Sequence, residues 1–141
     1  DAVIIPDLPP EEEPVFMKVA ARAGLRVILF VAPTTTPERL KAIVRRARGF
    51  IYFVSLTGVT GARRDLPSDL KDQIRRIKKV TSVPVCAGFG ISTPDQARLA
   101  ASYGDGVIVG SALIKKITQH IKCPDLVRRV SRFAGEIASH V

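Results

Sequence analysis

The chain has 141 residues, 46% of them hydrophobic, which predicts a single domain over residues 1–141 with one substantial core. No apolar run approaches the roughly 20 residues of a membrane span. The two cysteines, Cys86 and Cys123, have neither the spacing of a metal site nor that of a disulfide framework. We therefore expect a soluble cytoplasmic protein with no membrane association, no metal and no cofactor.

Lysine and arginine number 22 against 13 acidic residues, a net charge of +9 that favours anionic ligands or surfaces. Most of the basic residues fall in predicted helices, where solvated faces are the simplest interpretation. Grooves that bind nucleic acid usually place aromatic side chains among the basic ones, yet this chain has no tryptophan. The composition therefore argues against a nucleic-acid partner.

Five short runs rich in β-branched residues alternate with longer amphipathic stretches. In chain order the predicted strands are residues 2–6, 26–31, 50–55, 83–87 and 106–109. The alternation predicts parallel βα units. The third unit is the longest because of its loop over residues 56–66, and a long loop in a compact unit is usually functional.

The helices between the strands carry their own start and stop signals. Thr36, followed by Pro37, predicts an N-cap, and Thr93 with Gln96 predicts a capping box. The next signals are a buried stripe of Leu70, Ile74 and Ile77, a stop at Gly104 and a closing helix over residues 125–141. Right-handed βα units of this kind form either a barrel or an open flavodoxin-like sheet, and periodicity leaves both open.

Three glycine-rich loops each follow a predicted strand, at the end where barrels and open sheets both bind ligands. They are Thr57-Gly58-Val59-Thr60-Gly61, Gly88-Phe89-Gly90-Ile91-Ser92 and Gly110-Ser111-Ala112-Leu113. Glycine lets backbone N–H groups approach a phosphate closely, and a helix N-terminus adds partial positive charge. Barrels often bind phosphate with the loops after their last two strands and a short extra helix, here residues 112–117. The loops therefore predict a phosphate pocket in a (β/α) barrel.

The same loops, together with Pro6-Asp7-Leu8-Pro9 and the run from Tyr52 through Ser55 to Arg63, resemble the tryptophan synthase α subunit in order and spacing. The resemblance covers essentially the whole chain, from what would be the fourth strand of that barrel to its final helix. It implies an α/β fold, a partial barrel of TIM type with about five βα units. A complete barrel of this type takes about 250 residues.

The resemblance implies a lyase of tryptophan biosynthesis that splits indole-3-glycerol phosphate into indole and glyceraldehyde 3-phosphate, with a β subunit as partner. The positions that match the surroundings of the substrate phosphate are Gly61, Gly88, Phe89, Gly90, Gly110 and Ser111, and those that match the closing loop are Gly58 and Thr60. Tyr52 matches an aromatic hydroxyl close to the reacting centre. Asp7 matches an acidic residue after the fourth strand, toward the rim that faces the partner, and is the best acidic candidate in this chain.

In this family the cleavage depends on a glutamate and an aspartate from an earlier segment, and no part of this sequence matches that segment. General acid–base groups commonly contribute a factor of about 10² to 10⁴ each, so we expect the chain alone to be largely inactive. Two other hypotheses remain. One is a non-catalytic phosphate-binding half-barrel that associates with itself or another fragment through open sheet edges. The other is a different sugar-phosphate barrel enzyme, against which the loop from Thr57 to Gly61 argues.

Overall fold

The structure is a computed structural model that describes residues 1–8, 14–54, 66–88 and 90–141. Parallel strands alternate with helices along this part of the chain. The strands are β1 (Ala2–Ile4), β2 (Arg26–Val31), β3 (Ile51–Val54), β4 (Val85–Gly88) and β5 (Gly106–Val107). The helices are α1 (Pro14–Arg22), α2 (Pro37–Arg46), α3 (Leu70–Lys78), α4 (Pro94–Ala101), α5 (Ser111–His120) and α6 (Leu126–Ala138). None of the described helices is long and apolar enough to cross a membrane.

The strands lie in one sheet in the order β1-β2-β3-β4-β5, and every pairing is parallel. An open flavodoxin-like sheet reverses direction after its first strands and has the order 2-1-3-4-5. Because the order here follows the chain without a reversal, the open-sheet alternative is wrong. A singly wound parallel sheet is the wall of a (β/α) barrel.

The two faces of the sheet differ in how deeply their side chains are buried. On one face Leu29, Ile51 and Phe53 are at most 2% exposed and join a cluster with apolar residues of the helices. On the other face Phe30, Tyr52 and Cys86 are only half-buried. Since successive side chains of a strand point to opposite faces, the core lies between the sheet and the helices, and the second face is the barrel interior.

The predicted helix starts are confirmed. The Thr36 hydroxyl accepts a hydrogen bond of 3.3 Å from the backbone N–H of Arg39, and Thr93 accepts one of the same length from Gln96. The Gln96 side-chain oxygen accepts in return from the Thr93 N–H, also at 3.3 Å, which completes the capping box. These bonds satisfy N–H groups that the first turn of a helix leaves without partners.

Several predicted boundaries were wrong by a few residues. The first strand ends at Ile4 rather than residue 6, where proline has no N–H for the ladder. The fourth starts at Val85 rather than Val83, whose N–H donates to the Thr81 hydroxyl at 3.0 Å. It ends at Gly88 rather than residue 87, the third starts at residue 51 rather than 50, and the last ends at residue 107 rather than 109. The extra helix is longer than predicted and covers residues 111–120.

Gly104 does not end a helix in the way that its sequence position suggests. Helix α4 already ends at Ala101, and Gly104 is not among the glycines with positive φ. A Cβ added at Gly104 would lie 2.8 Å from the backbone oxygen of Val85. Glycine is required here because two backbone segments approach each other closely.

Candidate functional site

The carboxyl end of the sheet brings together residues from two of the predicted phosphate loops. Gly88 is the last residue of β4 and pairs with Val54 of β3. Gly90 follows with φ of 52°, a left-handed conformation that glycine adopts without strain. Gly110 and Ser111 come after β5, where Gly110 is the N-cap of α5 and Ser111 its first residue. Because β4 and β5 are neighbouring parallel strands, the two loops lie next to each other at the carboxyl end of the sheet.

Tyr52 lies directly against Gly88. A Cβ added at Gly88 would lie 2.3 Å from Cε2 of Tyr52 and 2.6 Å from its hydroxyl oxygen, closer than real side chains approach. On the other side the Tyr52 ring packs against Phe30 of β2, with 5.1 Å between ring centroids and 31° between the ring planes. Gly88 therefore leaves the space that the Tyr52 ring occupies at the carboxyl end of β4.

The interior face at this point carries groups that stay protonated. Burial raises the pKa of the Tyr52 phenol above its usual value. Burial also raises the pKa of the Cys86 thiol, with a smaller contribution from the negative charge of Asp105. At neutral pH Tyr52 is thus a neutral hydroxyl that can donate or accept a hydrogen bond, and it is a poor general base.

The start of α5 presents backbone donors, and its N-cap residue has room beside it. Gly110 makes no side-chain cap, and a Cβ added there would have no atom within 4 Å. Its carbonyl accepts the first helical bond, from Ile114 N–H at 3.1 Å, and Ser111 is exposed. The N–H groups of the first turn have no partner inside the helix, so this terminus can bind an anion.

Asp7 lies away from this group. It is exposed in the turn after β1, and β2 separates β1 from Tyr52 on β3, a distance of about 10 Å between strand axes. A cavity of about 330 Å³ adjoins Asp7 and is also lined by Thr35 and Arg39. The structure thus brings Tyr52 and Gly88 into contact but does not bring Asp7 to them.

The structure also shows residues at the carboxyl end of the sheet that the sequence analysis did not single out. Phe30 is the ring that supports Tyr52. Thr35 fixes the loop after β2, because its hydroxyl accepts from Ala32 N–H at 2.9 Å and its carbonyl accepts from the Arg76 guanidinium of α3. A signal for Thr35 was present in the sequence, since Thr34 and Thr35 lie within four residues of the end of a predicted strand. The only sequence signal for Phe30 was its position in the predicted strand β2, where successive side chains point to opposite faces.

Four predicted site residues, Gly58, Thr60, Gly61 and Phe89, lie outside the described residues, and their roles stay predictions. Within the described ranges, no group of three or more histidine, cysteine, aspartate or glutamate side chains is placed to hold a metal ion. The described acidic residues near the carboxyl end include Glu38, in the first turn of α2. A backbone hydrogen bond and the Thr36 hydroxyl lower the pKa of Glu38, which makes it a poor proton donor.

A sequence profile described as tryptophan synthase alpha chain matches residues 1–140. The chain belongs to the tryptophan synthase alpha chain family. It is 44% identical over 137 residues to the tryptophan synthase alpha chain of Geobacter sulfurreducens, which covers 97% of this chain and 52% of that protein. It is 51% identical over 122 residues to that of Carboxydothermus hydrogenoformans, which covers 86% of this chain and 46% of that protein.

Solved structures of the family give the same result at the level of the fold. A tryptophan synthase structure from Mycobacterium tuberculosis superimposes with a TM-score of 0.87 at 39% identity, over 99% of this chain and 51% of that one. The alpha chain from Legionella pneumophila gives 0.86 at 35% identity, again over 99% and 51%. The chain is thus a partial α/β barrel of the TIM type, and it spans about half the length of the family members that it matches.

Proposed function

We propose that this chain forms the substrate-phosphate half of an active site that cleaves indole-3-glycerol phosphate to indole and glyceraldehyde 3-phosphate. The family to which the chain belongs catalyses this lyase reaction in tryptophan biosynthesis. The observation that carries the proposal is the open N-terminus of α5, which lies beside the loop after β4 at the carboxyl end of the sheet. The phosphate would bind there.

In this proposal the phosphate oxygens accept hydrogen bonds from the first-turn N–H groups of α5 and from the Ser111 hydroxyl. Helix N-termini carry partial positive charge and stabilise anions by about 0.3–1 kcal/mol each, more where they are partly buried. Gly110 leaves room at the N-cap, since a Cβ built on it would meet no atom within 4 Å. Gly90 allows the neighbouring loop to turn there, and Gly61 and Phe89 would complete the pocket.

Tyr52 would contact the rest of the substrate as a neutral hydrogen-bonding group. Its ring is fixed between Phe30 and Gly88, and its raised pKa keeps the proton on the oxygen. Cleavage of the carbon–carbon bond requires one group that protonates the indole ring and one that removes a proton from the substrate. Neither Tyr52 nor the distant Asp7 is placed to supply both. We therefore propose that the acid and the base come from residues outside this chain, and that Gly58 and Thr60 belong to a loop that closes over the substrate.

A pair of substitutions at Gly110 tests the phosphate site. Gly110→Asp places a carboxylate at the helix N-cap, where aspartate and asparagine are about equally favourable for the helix. A phosphate dianion about 4 Å from that carboxylate is repelled by about 2 kcal/mol in water-like surroundings, a loss of roughly thirtyfold in affinity. Gly110→Asn has the same size and cap preference without the charge, and serves as the control.

The measurement is calorimetric binding of indole-3-glycerol phosphate to the full chain, with indole release assayed in parallel. We expect Gly110→Asn to bind nearly as well as the unmodified chain and Gly110→Asp to bind far more weakly, with little indole released by any of them. Equal affinity of the two variants would refute the phosphate site. Rapid indole release by the chain alone would refute the proposed origin of the acid and the base.

A β subunit is proposed as the protein partner. A structural relative from Pyrococcus furiosus, with a TM-score of 0.84 at 34% identity, is described as a tryptophan synthase a2b2 complex. The position of Asp7, exposed at the carboxyl rim after β1, is compatible with a surface that faces such a partner. Substitution of Asp7 by alanine should weaken association with a β subunit in sedimentation experiments while the binding of indole-3-glycerol phosphate is unchanged.

Self-association remains the second proposal, and the surface around β5 favours it. Among the described residues β1 and β5 each pair with one strand only, and Ile4 of β1 is 40% exposed. An apolar cavity of about 370 Å³ beside β5 is lined by Val107, Leu113 and Ile137. Open edges and apolar surface of this kind favour pairing with further βα units. Dimers seen in sedimentation experiments, and dissociated by the substitution Ile4→Lys, would support self-association. A monomer at all concentrations would oppose it.

The alternative of a different sugar-phosphate barrel family is excluded by the family match.

A further inference from the structure

A second polar cleft lies between α5 and α6, away from the start of α5. Its volume is about 350 Å³, within the range of small-molecule sites. Helix α5 contributes Lys116 and His120, four residues apart and therefore on one face of the helix. The α6 side is formed by residues spaced three and four apart from Asp125 to Glu136, again on one face.

The α6 side of the cleft is unusual in its charge. Beside the half-buried Phe133 it carries Arg128, Arg129 and Arg132, whose side chains are exposed. Arg128 and Arg132 are four residues apart, a spacing at which like charges destabilise a helix. A bound anion would remove this repulsion.

One carboxylate already orders two of these cations. Asp125 accepts hydrogen bonds from Nε of Arg129 at 2.8 Å and from Nη2 of Arg128 at 2.9 Å. The two guanidinium groups lower the pKa of Asp125 to about 2, so it is ionised at neutral pH. Each arginine still has donors left over, because a guanidinium carries five N–H groups.

The other two cations have no carboxylate partner within ion-pairing distance in the part of the chain that the structure describes. They are Lys116, whose Nζ lies 5.4 Å from the centre of the Phe133 ring, and Arg132. Lys116, Arg128, Arg129 and Arg132 give four positive charges, and Asp125 and Glu136 give two negative ones. The lysine and arginine side chains of the cleft therefore exceed its carboxylates by two charges, which matches a dianion.

We propose that this cleft binds a phosphate monoester of a small polyol, as a site separate from the start of α5. The cations would bind the phosphate, since arginine donates to phosphate oxygens in a fork. Asp125 and Glu136 would accept hydrogen bonds from the hydroxyl groups of the polyol. A dicarboxylate has the same charge but no hydroxyl groups for these two acceptors, so it fits less well.

The test uses glycerol 3-phosphate and the ¹⁵N-labelled full chain with Gly110→Asp, in which the first site is blocked by a negative charge. Saturable shifts of amide signals are expected along α6 from Arg128 to Arg132. Lys116→Gln combined with Arg132→Gln should weaken the affinity by about tenfold or more, because charge-assisted hydrogen bonds are lost. The control removes two positive charges elsewhere, with Arg75→Gln and Lys79→Gln on the exposed side of α3, and should retain the affinity.

Three results would overturn the proposal. The first is the absence of shifts along α6 at about 10 mM ligand, since small-molecule sites normally bind below that concentration. The second is an equal loss in the control, which would mean general attraction to a positive protein. The third is succinate that binds as well as glycerol 3-phosphate. Shifts at Ser111 without Gly110→Asp report on the proposed function separately, so that the failure of either proposal can be distinguished.

Discussion

Replacement of Gly88 by alanine tests the contact that fixes Tyr52. The new Cβ would lie 2.3 Å from Cε2 of the ring, whereas carbon atoms pack best at about 3.5–4.0 Å. The ring must therefore move by roughly 1.2 Å or more, and Phe30 already packs on its other side with centroids 5.1 Å apart. Overpacking of this kind costs about 1–3 kcal/mol. We expect Gly88→Ala to lower the free energy of unfolding in urea by that amount.

A double-mutant cycle separates the clash from other effects of the alanine. In a Tyr52→Ala background the ring is absent, so Gly88→Ala should cost little, and the coupling energy between the two positions should be about 1–3 kcal/mol. Gly110→Ala is the control for the cycle, because its Cβ would meet no atom within 4 Å. Alanine is a poorer N-cap than glycine, so we expect a loss of about 1 kcal/mol that is the same in both Tyr52 backgrounds. An equal loss from Gly88→Ala in both backgrounds would show that the Tyr52 ring is not what requires glycine.

Three further predictions concern the scaffold. Thr93→Ala removes the hydroxyl of the capping box and should lower the free energy of unfolding in urea by about 0.5–2 kcal/mol. Thr118→Ala, at an exposed helix position, should lower it much less. Equal effects of the two substitutions would contradict the capping role of Thr93. Gly104→Ala should cost about 1–3 kcal/mol, since its Cβ would lie 2.8 Å from the Val85 oxygen; unchanged stability would contradict that close approach. The pKa of Asp105 is lowered from 3.8, first by its hydrogen bond with a lysine, so its contribution is fully present above about pH 5 and is lost as the pH falls through the lowered pKa. The difference in the free energy of unfolding between the unmodified chain and Asp105→Asn should therefore shrink as the pH falls from 7 to 2. A difference that grows on acidification would contradict this prediction.

Much of the scaffold could be predicted from local sequence because local interactions fix it. The caps at Thr36 and Thr93 depend on residues three positions away, and the buried stripe of Leu70, Ile74 and Ile77 depends on helical periodicity. Strand ends were less predictable. From the sequence Gly88 was predicted to lie in a loop, whereas in the structure it pairs with Val54 and belongs to β4. The sequence could not show this, because backbone pairing with another strand is a non-local property.

The phosphate pocket could be predicted as a set of glycine loops, but their individual roles could not. Gly88 and Gly110 look alike in the sequence, as glycines that follow a strand. In the structure Gly88 is required by the Tyr52 ring, whereas a Cβ on Gly110, before a helix, would meet no atom within 4 Å. Nor does any local pattern show that Lys116 of α5 and the arginines of α6 line one cleft, because the packing of two helices depends on how both lie on the sheet.

The sequence by itself thus determined the number and order of the βα units, the helix caps and the family resemblance, since each depends on short-range patterns along the chain. Only the tertiary structure decided between a barrel wall and an open sheet, through the unreversed order of the strands. It also decided which glycine accommodates a side chain and which one leaves a helix N-terminus open. These outcomes depend on distances between residues that are far apart in the chain, which no local pattern specifies.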